Sequence, residues 1–129
     1  MPVPFAPVNR ILLLRRLALV GIVAFVLGLF IGGAQPVAVG LFPPPWDKLA
    51  HIVAFGSLAV LVEFALRPRM WLFFALPLLV SALDEIHQIW LPGRSAEVAD
   101  WLAGAVGVTL AWLLLRHTRL NALVTWLRG

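Results

Sequence analysis

Six acidic residues in a chain of 129 are few. Five of them, Asp47, Asp84, Glu85, Glu97 and Asp100, fall in three short stretches that also hold Lys48, His51, His87, Gln88 and Arg94. Three kinds of chemistry suit such a set. Carboxylates beside histidines can take up and release protons as general acid and base. His51, Asp84, His87 and Asp100 are donors that a divalent ion accepts, although the spacing matches no established ligand motif and no metal set is assigned. Lys48 and Arg94 can meet anionic oxygens through charge-assisted hydrogen bonds, while the carboxylates, His51 and Gln88 meet hydroxyls or amines. The chain has no His-Glu-x-x-His, no Gly-x-Ser-x-Gly and no phosphatase-type cluster, so no catalytic residue is assigned and no cofactor is named. Cysteine is absent, which excludes disulfides and thiolate metal sites.

Helical spacing groups these residues. Asp47 and His51 stand four apart and share one side of a helix; Asp84 shares a side with His87 and Gln88, and Glu85 with Gln88. Asp100 lies on a face with Ala103, Gly104, Gly107 and Ala111. Small residues at that spacing let helices approach closely, so Asp100 is expected to face other helices. Glu63 precedes Arg67 by four residues, a local ion-pair spacing.

The elements that position these residues are apolar. The chain is 62% hydrophobic and 12% charged, against about a quarter charged in an ordinary soluble domain. Runs of roughly 20 apolar residues cross a bilayer. Four such helices are expected, at about 11–34, 48–66, 70–91 and 98–115, in one membrane domain over 1–129. The fold class is an all-α, polytopic four-helix bundle. The first helix has a charge-free run over Leu17–Ala34 behind Arg10, Arg15 and Arg16. A cleaved leader ending near Gly33–Ala34 is the rival for it, but its apolar stretch exceeds the usual 7–15 residues of such peptides. Gln35 to Trp46 is an apolar loop punctuated by Pro36, Gly40 and Pro43–Pro44–Pro45. Arg67-Pro68-Arg69 is a tight turn, Pro77 removes one backbone donor inside helix three, and Pro92–Gly93 ends it. Beyond Arg116, Leu120, Leu123, Val124 and Leu127 repeat at helical spacing, as in an amphipathic interfacial helix.

The basic residues set a direction. With the N-terminus inside, eight arginines (Arg10, Arg15, Arg16, Arg67, Arg69, Arg116, Arg119 and Arg128) are cytoplasmic, and only Lys48 and Arg94 are outside. The charge pattern is thus a topology signal and not a nucleic-acid surface. Trp46, Trp90 and Trp101 mark the outer ends of helices, and Trp71 and Trp112 the inner ends. All the candidate site residues then gather at the outer side. Asp84 stands seven residues before Leu91, roughly 10 Å below that end of the helix at 1.5 Å per residue. A carboxylate at the bilayer centre costs about 2.5–3.5 kcal/mol, and less near the surface. An interhelical hydrogen bond returns about 0.6 kcal/mol. Polar glue alone does not offset two adjacent acids, so a functional cluster is expected. Lys48 taken singly fits a lysine whose head group snorkels to water.

The pattern Asp47-Lys48-x-x-His51, then Asp84-Glu85-x-x-Gln88-x-x-x-Pro92-x-Arg94, then Asp100 on to Gly107, resembles the VanZ-like family of small bacterial membrane proteins, over about residues 45–112. That family is named for an accessory protein of glycopeptide-antibiotic resistance. Many members have an Asn four residues after the helix-four aspartate; here that position is Gly104. The resemblance implies a bacterial cytoplasmic-membrane protein with a cell-envelope function. Asp47, Lys48, His51, Asp84, Glu85, His87, Gln88, Arg94 and Asp100 would form an outward polar pocket for membrane lipid, a lipid-linked glycan or a lipoglycopeptide. A membrane-embedded acid–base or metal-dependent enzyme and a proton-linked transporter are the alternatives. The transporter would need more than four helices, hence a homo-oligomer.

Overall fold

The computed structural model describes residues 7–117 and Ala122. The expected amphipathic tail helix lies outside the described residues. Within them there are four long helices: α1 (Pro7–Leu27), α2 (Trp46–Leu66), α3 (Met70–Gln88) and α4 (Val98–His117). Each offers a stretch long and apolar enough to cross a membrane. Leucines, valines and tryptophans such as Val20, Val23, Leu79 and Leu110 are exposed on all four helices. Water would not tolerate so continuous an apolar surface, whereas acyl chains do.

Small residues decide how the helices pack. Lipid is as apolar as leucine, so helices associate in it through close contact and polar links. A Cβ added at Gly107 would lie 2.1 Å from the carbonyl oxygen of Ile52, and one at Gly56 would lie 2.9 Å from that of Gly107. The backbones of α2 and α4 therefore touch. Around this crossing lie Phe55, Leu58, Ala59, Val62, Phe73, Val108, Ala111 and Leu115, all buried. The buried face of α4, Asp100, Ala103, Gly104, Gly107, Val108, Ala111 and Leu115, contains the small-residue face seen in the sequence. α1 is the most peripheral helix. It meets α2 where Gly21 faces the Leu61 side chain and where Phe25 packs edge-on to Phe55, their centroids 5.7 Å apart.

Several boundaries differ from expectation. α1 is followed by a π-helical turn over Gly28–Gly32, and Gly33 donates to the carbonyls of both Gly28 and Leu29. A short 3-10 turn, Pro36–Ala38, opens the loop, and the Pro44–Pro45 peptide is cis. α3 ends at Gln88, not Leu91. Ile89, Trp90 and Leu91 each donate to the carbonyl three residues back, and Gly93 has φ of 74°. The cause is Pro92, which cannot donate and drives the residue before it away from helical geometry. α2 ends at Arg67 in the left-handed region, φ 48°, its N–H donating to the Glu63 carbonyl at 3.1 Å. Trp101 does more than mark a membrane boundary: its indole N–H donates to the Leu78 carbonyl at 3.0 Å and ties α4 to α3.

Candidate functional site

The antiparallel run of α2, α3 and α4 brings the start of α2, the end of α3 and the start of α4 to one end of the bundle. Three links close that end. Lys48 Nζ donates to Asp47 at 2.8 Å, to Glu97 at 2.7 Å and to Asp100 at 2.5 Å. The backbone N–H of Glu97 donates to Glu85 Oε2 at 3.0 Å. His51 Nε2 lies 3.3 Å from Glu85 Oε1 and 3.9 Å from Asp84 Oδ2. Gln88 then donates to Asp84 Oδ2 at 3.2 Å from one helical turn away.

Asp47, Lys48, His51, Asp84, Glu85, Gln88 and Asp100 are thus one connected cluster. Asp84, Glu85, Gln88 and Asp100 are buried. Lys48 does not simply reach for water: it lies among carboxylates from two helices. Arg94 joins the site differently. Its guanidinium donates to the carbonyls of Gly33 at 3.4 Å and Ala38 at 3.3 Å, pinning the end of α1 and the following loop. His87 stands apart from the cluster, with its ring 5.4 Å from that of Phe30. At roughly 100° per residue, Asp84, Gln88 and Glu85 fan over one side of α3, while His87 falls about 60° beyond Asp84 the other way.

Glu97 belongs to the cluster although the sequence reading left it out of the candidate site. The signal was available, because it stands three residues before Asp100 and so shares its side of the chain. Ser81 was also missed. It is buried, its hydroxyl has no hydrogen-bond partner, and it lies against Gly104, where a Cβ would come within 2.9 Å of Oγ.

Beside the cluster is a cavity of about 780 Å³. Its wall is mostly apolar. Gly28 and Gly32 from the π-helical turn and Gly33 just after it supply one side, and Leu41, Phe42 and Trp46 another. Polar groups enter it from His51, Asp84, Gln88 and Arg94. Gly28 and Gly32 have open space where a side chain would start. π-helical turns occur often at functional sites, and this one widens the cavity by presenting glycine surface to it.

The family model VanZ/LLP1 matches residues 3–121, nearly the whole chain. No curated protein and no solved structure matches it.

Proposed function

We propose that this chain, which belongs to the VanZ/LLP1 family and carries four membrane-spanning helices, binds an amphipathic lipid, glycolipid or lipoglycopeptide from the outer leaflet. The observation that carries this reading is the cavity of about 780 Å³, apolar over most of its wall and polar where His51, Asp84, Gln88 and Arg94 enter. Its size is that of ordinary ligand pockets, about 300–1,000 Å³. An acyl or isoprenoid chain would lie along Gly28, Gly32, Leu41 and Phe42. The head group would meet His51, Asp84 and Gln88, which offer both donors and acceptors. Arg94 is already bound to two backbone carbonyls and so serves chiefly to hold the loop that forms the wall.

Gly32→Leu fills the chamber from a position with free space for a side chain. It should lower the amount of co-purified amphiphile severalfold, with the melting temperature near that of wild type. Mass spectrometry of lipid retained after gentle solubilisation measures this. Equal retention by both proteins, or no retained amphiphile beyond bulk lipid in wild type, would sink the reading.

Orientation is part of the proposal. Eight arginines on one side against Lys48 and Arg94 on the other support both termini in the cytoplasm of a bacterium, with the polar end of the bundle outside. Reporter fusions after Arg69 and Arg128 should read cytoplasmic, and fusions near Pro44 and Pro92 external. An external C-terminus would turn the cavity to the wrong leaflet.

A further inference from the structure

We propose that His51, Asp84 and Glu85 form a binding site for one divalent transition-metal ion of the Zn²⁺ or Mn²⁺ kind. The ring orientation of His51 is the first reason. Its Nδ1 lies 2.8 Å from the carbonyl oxygen of Asp47. A carbonyl only accepts, so Nδ1 carries the ring proton. Nε2 then faces Glu85 Oε1 at 3.3 Å and Asp84 Oδ2 at 3.9 Å. Two carboxylate oxygens and a ring nitrogen this close call for positive charge among them, which a proton on Nε2 or a metal ion would supply. A histidine whose second nitrogen is held by a backbone carbonyl is how metal-ligating imidazoles are oriented.

Glu85 supplies the second reason. The residue is 8% exposed, and its Oε1 is buried without a hydrogen-bond partner. Its other oxygen accepts the Glu97 N–H. A buried carboxylate oxygen without a donor is costly, and this one points at His51. The three donor atoms lie within 4.8 Å of one another. Donors at ~2.1 Å from a tetrahedral ion stand about 3.4 Å apart, so a small rotation of Asp84 completes the set.

A second group, Asp47, Glu97 and Asp100, is equally close-set, but Lys48 Nζ already lies among its oxygens. The ammonium is that group's cation. Arg94 directs its hydrogen bonds to Gly33 and Ala38. One imidazole nitrogen and two carboxylate oxygens suit zinc or manganese better than the softer or the purely oxygen-seeking ions. Three protein ligands leave a coordination position open. His51 and Asp84 line the cavity, so the open position faces it.

The test uses the metal alone and does not depend on the lipid reading. The whole chain, in mild detergent, is stripped with chelator, dialysed against Zn²⁺ or Mn²⁺ and desalted. Bound metal and melting temperature are then measured. Wild type should retain one ion per chain and melt higher with it. Glu85→Gln and Asp84→Asn should each weaken retention about tenfold or more. Glu97→Gln, an exposed member of the second group, should not, and Gly32→Leu should keep the metal while losing lipid. A folded wild type that retains no ion overturns the proposal, because the site is then an imidazolium–carboxylate pair. A loss in Glu97→Gln as deep as in Glu85→Gln overturns it too. Either result is readable even where Glu85→Gln or Asp84→Asn fails to fold.

Discussion

Gly107→Ala is expected to destabilise the protein by about 3 kcal/mol or more, at the upper end of what overpacking costs. The new methyl would lie 2.1 Å from the Ile52 carbonyl oxygen. That oxygen is part of α2's backbone, so no side chain can rotate away and one helix has to shift. The shift would also disturb Phe55 and Val108, which are almost fully buried at the same crossing. Lipid supplies no hydrophobic force to hold the separated helices together. Gly56→Ala should cost less, because its Cβ meets the Gly107 oxygen at 2.9 Å, and Gly28→Ala should be close to neutral, with nothing within 4 Å. Melting temperatures of the three variants in one detergent give the order. Equal values for Gly107→Ala and Gly28→Ala would mean that α2 and α4 do not cross here.

How much of this was legible in the sequence depends on how local each signal is. Apolar runs of membrane-crossing length are local, so all four helices could be placed. Prolines and glycines marked the loops correctly but misled at one end of α3. Ile89, Trp90 and Leu91 continue the hydropathy of the helix, while Pro92 acts on the backbone upstream of itself. The inward face of Asp100 was readable because Ala103, Gly104, Gly107 and Ala111 repeat at helical spacing. Its partner Gly56 was not, since nothing local on α2 shows that a glycine there lies opposite another. His87 was placed with Asp84 by three-residue spacing, which gives a shared side only to within about 60°. The cavity joins residues from Gly28 to Arg94. Its volume depends on where the loop folds back, and no linear pattern encodes that. The partners of Lys48 were not legible for the same reason. Considered singly it is an interfacial lysine, and its meaning lies in Glu97 and Asp100 some fifty residues on.

Lys48→Met is accordingly expected to lower stability by about 2 kcal/mol, less than removing one partner from a fully buried ion pair because the Lys48 side chain is 32% exposed and solvent screens it. Methionine keeps most of the side chain's apolar stem and removes only the ammonium. The Asp47, Glu97 and Asp100 oxygens, all within 4.8 Å of one another, would then face each other with no cation among them. Like charges that close repel one another, most strongly where one of them is buried. Glu97 is exposed and can swing into water, which relieves part of this, but Asp100 is held on the packed face of α4 with its side chain 9% exposed. Asp100→Asn in the Lys48→Met background should therefore recover much of the loss, and the double-mutant cycle should give a coupling of about 1–3 kcal/mol. Thermal or denaturant unfolding in detergent measures all four proteins. A lysine whose head group merely snorkelled would give single-variant losses within about 0.5 kcal/mol, as surface changes do, and no coupling to Asp100. The association of α2 with α4 would then have to rest on the close approach at Gly56 and Gly107 and the apolar packing around it.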